Sequence, residues 1–502
     1  MNFKYFNSLL SIYIQSIELI ITMPLIVLII TSIILLIAII IWKRNNLVGI
    51  FSLIGLSIAI WSIFFYKFTS NQPDFVTTIL YIDNYSLLIS VLVLLASLIT
   101  SIFTYLWLYF FALEDQGEIF LLILIATVGG VLLANTNNLS SFFIGIELMA
   151  VPLFGLTGYT FNRITYLESS IKYTLLSAIT SSFLLFGIAL IYAQTGYLTY
   201  SQISIFINNN IQSPLLLLGF GLIMTSIGFK LSLVPFHQWT AEIYEKSPFP
   251  AVWFLATSSK IAIFGATTRL LVNLHLIDNK MVYILLSIMA FISILVGNFM
   301  ALFQLNIKRL LAYSSISHFG YLWIALICAH TNKFFSLETI NISLVSYLLS
   351  SLGLLGIIML ISTLNHKNNS IIDDINSYRG LFLHHPILSL AMTIMILSLS
   401  GIPLTLGFLS KFYLLILSIM SHQWWLTFSI LIGTIIGLYY YLRLIAYLYL
   451  SLPTEKIILF SSKENLVWFW YIGAILVGII AILICILGII PQYIINCIQF
   501  SY

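Results

Sequence analysis

Apolar residues run in long uninterrupted segments along almost the whole chain, and short clusters of charged or turn-forming residues separate them. A helix needs about 20 apolar residues to cross the hydrocarbon core of a bilayer. Apolar residues do not alternate with period two inside the segments, so the pattern excludes a membrane β-barrel. It predicts an all-α polytopic membrane protein with about fourteen transmembrane helices. These helices are expected near residues 20–42, 47–66, 84–111, 119–135, 139–161, 168–194, 213–236, 250–272, 281–303, 309–329, 339–364, 385–419, 424–450 and 466–490.

The composition agrees with a chain surrounded by lipid. Only 7% of the 502 residues are charged and 61% are hydrophobic, whereas soluble globular chains have about 25% charged residues. A soluble fold is therefore excluded, and the lipid bilayer is an expected partner. The 20 basic and 16 acidic residues give a formal net charge of +4 and are scattered singly. They form no basic patch suited to a phosphate backbone, so no nucleic acid partner is expected.

The sequence carries no motif for a metal or a cofactor. Its three cysteines, Cys328, Cys485 and Cys497, share no C-x-x-C or Cys/His spacing, so no iron–sulfur cluster or structural zinc is expected in this chain. No G-x-G-x-x-G or Walker-type loop opens a helix. The chain is therefore expected to bind neither a dinucleotide nor ATP.

The N-terminus predicts a retained first helix instead of a cleaved signal peptide. Lys4 is its only basic residue, and the apolar run that follows contains no small-residue cleavage site. Residues 1–19 could form an additional interfacial or partial helix.

The distribution of basic residues predicts the orientation of the chain. With fourteen helices both ends lie on one side, and positively charged loops stay in the cytoplasm. Loops that follow odd-numbered helices, with their margins, carry twelve Lys and Arg, against five in the other loops and the ends. Both ends are therefore expected outside the cytoplasm. The twelve are Lys43, Arg44, Arg163, Lys172, Lys246, Lys308, Arg309, Lys367, Arg379, Arg443, Lys456 and Lys463, and the five are Lys4, Lys67, Arg269, Lys280 and Lys333.

Four charged residues lie deep within predicted helices. They are Glu147 in the fifth segment, Lys230 in the seventh, Lys260 in the eighth and Lys411 in the twelfth. A charge at the centre of a bilayer costs roughly 2.5–3.5 kcal/mol on insertion scales, unless it faces a partner or a water-filled cavity. One interpretation is that these residues form packing ion pairs, or that the lysines extend to an interface.

The functional interpretation is proton transfer. Burial disfavours the charged form of a lysine and a nearby carboxylate favours it, so a buried lysine can change its protonation state. A Glu147–Lys230 pair could then act as a switch, because loss of the carboxylate's influence releases the lysine's proton toward a neighbour such as Lys260.

Two of the lysine-bearing segments are predicted to be broken helices. Pro235 lies five residues after Lys230, and Pro403 lies eight residues before Lys411. A proline inside a helix removes a hydrogen bond and frees carbonyl groups at membrane depth. A simple kink is the alternative for either proline. Broken helices at corresponding positions of two halves are typical of inverted-repeat transporters.

The breaks predict four units along the chain. They are three N-terminal helices over residues 1–118, a first five-helix repeat over 119–272, a second over 273–450 and a last helix over 451–502.

Several other polar residues have weaker interpretations. His237 and His318 are secondary candidates for a proton relay, although a single histidine among aromatic residues can also be a hydrogen-bonded core residue. The three tyrosines at 439–441 and the two tryptophans at 424–425 are predicted to form aromatic belts at the membrane interfaces.

Seven stretches of the sequence, from about residue 80 to 450, resemble one known family. They read LFGLTGY, ESSIKYTLLSAITSSFLLFG, GFKLSLVPFHQW, ATSSKIAIFG, NIKRLLAYSSISHFGYL, LSLSGIPLTLGF and GLYYYLRL. In this order they resemble NADH-quinone oxidoreductase subunit N (subunit 2), the antiporter-like, proton-pumping membrane subunit family of complex I. The chain departs from the family pattern after the seventh segment, where Ala241 and Lys246 replace a common Pro and Gly in what is expected to be a loop.

The resemblance implies a fourteen-helix subunit with two inverted repeats and a path for protons. By resemblance, Glu147 and Lys230 form a coupling pair, Lys260 is the central relay, and Lys411 serves the second broken helix. NADH, FMN, iron–sulfur clusters and quinone are then expected in other subunits. The implied partners are homologous antiporter-like pumps, small helical subunits and, indirectly, a peripheral redox arm.

Two alternatives to a subunit of a redox-driven pump remain. One is a cation/proton antiporter subunit driven by an existing ion gradient, and the other is a structural spacer whose polar residues are paired and silent. The frequent isoleucines suggest an AT-rich genome. The expected location is a bacterial inner membrane, with the mitochondrial inner membrane as the alternative.

Overall fold

The computed structural model describes residues 22–42, 45–69, 74–75, 79–110, 117–159, 164–210, 213–364, 374–451 and 468–499, and the possible helix over residues 1–19 lies outside them. The first ten helices are α1 (Met23–Trp42), α2 (Asn45–Thr69), α3 (Asn84–Phe110), α4 (Glu118–Ala134), α5 (Leu139–Thr157), α6 (Ile164–Thr195), α7 (Tyr200–Asn210), α8 (Pro214–Lys230), α9 (Gln238–Lys246) and α10 (Phe249–Ala256). The other ten are α11 (Ser258–Asn273), α12 (Lys280–Leu302), α13 (Ile307–Ile327), α14 (Lys333–Leu364), α15 (Leu381–His384), α16 (Pro386–Ser400), α17 (Leu406–Met420), α18 (Trp424–Tyr449), α19 (Trp468–Ile489) and α20 (Gln492–Gln499). Two short strands, β1 (Asp74–Phe75) and β2 (Tyr81–Ile82), pair antiparallel before α3.

The predicted all-α membrane fold is confirmed, and each of the fourteen predicted segments contains a helix or a pair of helices. In the described part of the chain, eleven helical spans are long and apolar enough to cross a membrane, with α10 and α11 counted together as one span. Shorter apolar helices, α4, α8, α16 and α17, occupy the other three segments. The helices α7 and α9 were not predicted, and α9 occupies the stretch that was expected to be a loop.

Burial separates central helices from peripheral ones. In α11 every residue from Ser258 to Leu271 is buried, and most of α13 is buried as well. In contrast, α1, α2, α6, α18 and α19 leave many isoleucine, leucine and aromatic side chains exposed on one face. Lipid is as apolar as these side chains, so such faces suit a bilayer. The helix that carries Lys260 is therefore at the centre of the protein.

The first predicted helix break is present in the seventh segment. There α8 ends at Lys230, before Pro235, and Ser232 adopts a left-handed conformation with φ of 59°. Backbone groups freed by the break have partners, as membrane depth requires. The Trp239 indole donates to the Phe229 carbonyl (2.9 Å), and the Ser293 hydroxyl accepts from the Val234 amide (3.0 Å).

The second predicted break separates α16 from α17 at Gly401–Thr405. Gly401 has φ of 82°, a value that favours glycine because it has no Cβ. The Ser398 hydroxyl accepts from the Gly407 amide (3.2 Å) across the break. The segment predicted as one apolar run over 385–419 is thus two helices that meet within the protein.

A third discontinuity, which the sequence did not predict, divides the eighth segment. Thr257 separates α10 from α11 and lies three residues before Lys260. The Tyr347 hydroxyl of α14 donates to the freed Ala256 carbonyl (2.9 Å). The only proline of the segment is Pro250, at its start, so no local sequence signal marks this break.

A cluster of ion pairs fixes α9 against α6 and α13. Glu168 of α6 accepts from both Lys172 (2.9 Å) and Lys246 (2.7 Å), and Lys172 also pairs with Glu242 of α9 (2.7 Å). Arg309 of α13 pairs with Glu245 (3.5 Å). Because α9 also carries the buried Tyr244, this cluster helps to position Tyr244 in the protein interior.

The pair between Glu242 and Lys172 predicts an acid-dependent stability difference. The hydrogen bond from Lys172 lowers the pKa of Glu242 below the ordinary value of 4.5. When the pKa of a carboxyl group is lower in the folded state than in the unfolded state, the ionised carboxylate stabilises the fold at pH values above the unfolded-state pKa. This stabilisation is lost as the pH falls through the folded-state pKa. Glu242→Gln mimics the protonated side chain. We expect wild type to melt at a higher temperature than E242Q at pH 7, with the difference disappearing in acid. A difference that is unchanged across this range would contradict the assignment.

Candidate functional site: buried lysines at the helix breaks

Lys230 is the last residue of α8 and is only 5% exposed. Its ammonium group donates to the Ser177 hydroxyl of α6 (2.6 Å) and lies 5.8 Å from the centre of the Tyr173 ring. The carbonyl groups at a helix C-terminus carry partial negative charge, which favours a cation at this position. The break thus places Lys230 at a helix end, with its ammonium group held by a hydroxyl of the neighbouring helix α6.

Glu147 lies in the middle of α5, on the side of the protein next to Lys230. Its carboxylate acts electrostatically on both the Lys230 ammonium group and the Tyr173 hydroxyl. The two charged groups do not form an ion pair within 4.0 Å, and the Glu147 Oε1 atom is buried without a hydrogen-bond partner. The predicted coupling pair therefore interacts across a gap, with Tyr173 close to both residues.

Lys260 is completely buried in α11. Its Nζ atom donates to Ser232 in the break after α8 (2.7 Å) and to Ser315 of α13 (2.9 Å). The ring centres of Phe319 and Tyr244 lie 5.1 Å and 5.8 Å from the same atom. No carboxylate contacts Lys260 in the part of the chain that the structure describes, so hydroxyl groups and aromatic faces are its contacts.

Lys411 lies in the second turn of α17 and is 7% exposed. Its Nζ atom donates to the carbonyl of Ser400 (2.7 Å), the last residue of α16, and lies 5.7 Å from the centre of the Tyr321 ring. Both lysines therefore lie beside a helix break: Lys230 ends the first half of its broken helix, whereas Lys411 belongs to the second half and contacts the last carbonyl of the first half.

The two secondary candidates for a proton relay, His237 and His318, differ in their surroundings. His318 of α13 is within electrostatic range of Lys411, and its Nε2 atom is 3.3 Å from the Tyr441 hydroxyl. His237 lies at the end of the first break, where its Nδ1 atom is buried without a partner. No hydrogen bond or ion pair within the described residues joins His237 to the lysines. His318 therefore belongs to the lysine site, whereas His237 is at its edge.

Tyrosines that the sequence did not single out connect the separate positions. Tyr244 lies over Lys260 and within electrostatic range of Tyr173, beside Lys230, and of Tyr347, beside His318. The Tyr244 hydroxyl lies beside Ser315 without a well-formed hydrogen bond. Their positions on α6, α9 and α14 depend on tertiary packing, so no spacing in the sequence identifies them.

A small cavity adjoins this row of tyrosines. About 20 Å³ within it is open to the centre of a water-sized sphere, and its polar lining residues are Tyr244, Ser314, Tyr347 and Ser351. A polar cavity needs roughly 10–15 Å³ of such space to hold one water molecule. This cavity has room for one water molecule, but its accessible lining is almost entirely apolar, so it offers a water few hydrogen-bond partners.

The prediction of interfacial belts is wrong for two tyrosines. Tyr440 and Tyr441 of α18 are each 1% exposed and lie within the polar cluster around His318, whereas Tyr439 is 65% exposed. A signal was present in the sequence, because Gly433, Gly437 and Tyr440 recur at helical spacing on one face of α18. Together, the site is a row of lysines, tyrosines, serines and a histidine that runs through the protein interior.

Buried charged residues beside broken membrane helices are typical of antiporter-like transmembrane proteins. More than half of the chain, residues 136–437, matches the family model described as NADH:quinone oxidoreductase/Mrp antiporter, TM. The chain belongs to this family.

Solved structures show the same fold over nearly the whole chain. A chain of respiratory complex I from Thermus thermophilus, in a structure with bound aureothin, is 28% identical with a TM-score of 0.77, covering 94% of this chain and 98% of that chain. A chain of the archaeal membrane-bound sulfane sulfur reductase is 22% identical with a TM-score of 0.81, covering 97% of both chains. A chain of the Mrp complex from Dietzia sp. DQ12-45-1b is 17% identical with a TM-score of 0.81, covering 96% of this chain and 97% of that chain.

Proposed function

We propose that this chain is a proton-translocating membrane subunit of a respiratory NADH:quinone oxidoreductase. Quinone reduction elsewhere in the complex drives proton transfer through Glu147, Lys230, Lys260 and Lys411. The observation that carries the proposal is the surroundings of Lys260, which is fully buried and held by two hydroxyl groups without a contacting carboxylate. An ammonium group in such a site is removed from bulk solvent and is not paired with a carboxylate, so it can change its protonation state when a nearby charge changes.

The coupling begins at Glu147 and Lys230. Because they interact across a gap, a small movement of either group, or a new charge beside Glu147, changes the field at Lys230 without breaking a tight ion pair. Tyr173 and Tyr244 lie between Lys230 and Lys260, and Tyr347 and His318 lie between Lys260 and Lys411. Hydroxyl and imidazole groups both donate and accept hydrogen bonds, so this row suits stepwise proton transfer.

A redox complex is favoured over an ion-driven antiporter by sequence identity. The chain is 28% identical to the complex I relative and 17% identical to the Mrp relative, although the fold likeness is similar for both. Within this proposal, NADH, FMN, iron–sulfur clusters and quinone belong to other subunits. Homologous pumps, small helical subunits and the redox arm are the partners, and a bacterial inner membrane, or alternatively the mitochondrial one, is the location.

Purification of the tagged chain in mild detergent tests this proposal. We expect it to elute with other membrane chains, a flavin and iron–sulfur arm, and NADH:quinone oxidoreductase activity. In membrane vesicles, Lys230→Ala is expected to lower both quinone reduction and NADH-driven proton uptake, because tight coupling slows the redox step when proton transfer stops. The control is Lys333→Ala, which removes an exposed lysine at the start of α14.

Two results would contradict the proposal. Unchanged quinone reduction and proton uptake in K230A would remove the assigned role of Lys230. Elution without redox activity, together with sodium-dependent proton flux in vesicles without NADH, would favour the antiporter alternative.

A further inference from the structure

Each of the three buried lysines beside a helix break faces the ring of a tyrosine from another helix. The ammonium nitrogen lies 5.8 Å from the ring centre for Lys230 and Tyr173, 5.8 Å for Lys260 and Tyr244, and 5.7 Å for Lys411 and Tyr321. A cation within about 6 Å of a ring centre is stabilised by the electron-rich face of the ring. Of these three tyrosine hydroxyls, that of Tyr321 alone makes a well-formed hydrogen bond within the described residues. Its ring is therefore the one of the three that a hydrogen bond holds in place.

The residue that holds the Tyr321 hydroxyl is Asn298 of α12, which is 1% exposed. Its Nδ2 atom donates to the Tyr321 hydroxyl (3.1 Å) and to the Ile294 carbonyl (2.8 Å). Because a carbonyl oxygen only accepts, the Ile294 contact identifies the nitrogen end of the amide. The Oδ1 atom at the other end accepts from the Tyr440 hydroxyl (3.2 Å). The Asn298 side chain is thus held at both ends, and its nitrogen is directed at Tyr321.

The packing of α18 leaves space for this hydrogen bond. A Cβ atom at Gly433 would overlap the Tyr321 hydroxyl and would lie 3.0 Å from the Asn298 Nδ2 atom. Any side chain at this position would push the hydroxyl away from the amide. The glycine therefore allows Asn298 and Tyr321 to meet beneath α18.

The hydrogen bond determines where the Tyr321 ring lies. The hydroxyl is at the end of the ring axis, so a partner that fixes the hydroxyl also fixes the direction of this axis and the position of the ring centre. The ring is 3% exposed and contacts His318 edge-on, with ring centres 6.0 Å apart. Without Asn298 the hydroxyl would be buried at membrane depth with no partner, which costs free energy until the side chain turns toward another polar group. Such a movement takes the ring away from Lys411.

We propose that Asn298 is a positioning residue that keeps the ring of Tyr321 beside the ammonium group of Lys411. The amide acts through the tyrosine, since Asn298 hydrogen-bonds Tyr321 whereas Lys411 donates to the Ser400 carbonyl. The inference rests on the proposed proton-transfer function, because it concerns how the ring stabilises the ammonium form of Lys411. It adds Asn298 and Tyr321 to the lysine site, and the sequence singled out neither of them.

Three variants test the positioning role by NADH-driven proton uptake in membrane vesicles. Asn298→Leu removes the amide at similar size and leaves the Tyr321 hydroxyl without its partner, so we expect about a fivefold loss of uptake, comparable to the loss of one hydrogen bond. Adding Tyr321→Phe removes the unpaired hydroxyl but keeps the ring, and replacement of both partners by apolar groups of similar shape can be nearly neutral. N298L/Y321F is therefore expected to recover most of the uptake that N298L loses. N298L/Y321L has no ring beside Lys411 and is expected to stay as low as N298L.

A reference variant and a control define the size of these effects. The uptake that is lost in Lys411→Met is taken as the contribution that passes through this lysine, and each loss is expressed as a fraction of it. Uptake is divided by the amount of this chain in the purified complex, so reduced assembly does not count as reduced proton transfer. Tyr439→Phe is expected to equal wild type, because Tyr439 is exposed on the surface of α18.

Three outcomes would overturn the inference. Normal uptake in N298L would show that the amide is not needed. Uptake in N298L/Y321F as low as in N298L would show that the amide or the hydroxyl acts other than through the ring. Equal recovery in N298L/Y321L and N298L/Y321F would show that the ring is not needed.

The test does not depend on assembly of the Asn298 variants, and it separates this inference from the proposed function. If N298L does not assemble, Y321F and Y321L are compared with Asn298 unchanged. Y321F is then expected to keep more uptake than Y321L, and equal uptake in the two would overturn the role of the ring. Normal uptake in K411M would instead contradict the proposed function itself.

Discussion

Lys260→Met is expected to stop proton transfer through this chain while leaving the fold intact. Methionine is unbranched and similar in length, so it can fill the space of the lysine side chain. The Ser232 and Ser315 hydroxyls each donate to a backbone carbonyl, of Leu231 and Ala312, and only accept from Lys260. They therefore keep a hydrogen bond in the variant. Positioned proton-transfer groups contribute about 10²–10⁴-fold to rates, so we expect at least about a 100-fold loss.

The measurement is NADH-driven proton uptake by membrane vesicles, together with quinone reduction by the same vesicles. Other proton-pumping subunits of the complex maintain part of the uptake. The uptake that is lost in K230A is therefore taken as the contribution of this chain, and the loss in K260M is expressed as a fraction of that contribution. Lys280→Met is the control because Lys280 is exposed at the start of α12. Full assembly with normal uptake in K260M would show that Lys260 is a silent packing residue.

Hydropathy and local backbone chemistry were sufficient to predict the all-α membrane fold, its fourteen apolar segments and two of the three helix breaks. The fourteen segments are confirmed because lipid selects continuous apolar runs, and such runs are visible without knowledge of packing. The two breaks are confirmed because Pro235 and Pro403, the latter with its neighbouring glycines, act on the backbone at their own positions. The exact ends were less predictable, since α8 ends at Lys230 and not at residue 236.

The surroundings of the lysines could not be predicted in the same way. Charge at membrane depth identified Glu147, Lys230, Lys260 and Lys411, because each is an exception within an apolar run. Their partners are serines and tyrosines from other helices, and such residues are ordinary in the sequence. The row of hydroxyl groups exists only after α6, α9, α13 and α14 pack together. Tertiary contacts therefore determine the route of proton transfer between the lysines, whereas the sequence alone shows which charged residues lie at membrane depth.

Gly407 is expected to tolerate no side chain, because α16 and α17 meet there at the second break. A Cβ atom built on Gly407 would overlap the carbonyl oxygen of Ser398, which belongs to the backbone and has little freedom to move. In Gly407→Ala the two half-helices must separate. The Ser400 carbonyl, which accepts from Lys411 (2.7 Å), lies two residues from the overlap. The substitution therefore displaces the partner of Lys411 as well as the backbone.

Overpacking a buried site destabilises a protein by about 1–3 kcal/mol, and occasionally by more. We expect G407A to lower the melting temperature of the purified complex and to reduce proton uptake. Gly221→Ala is the matched control, since Gly221 lies in α8 and a Cβ atom there would have no neighbouring atom within 4 Å. Alanine is a better helix former than glycine by about 1 kcal/mol, so the control should be neutral or slightly stabilising. Equal melting temperature and uptake in G407A and wild type would show that the two half-helices can separate without displacing Lys411.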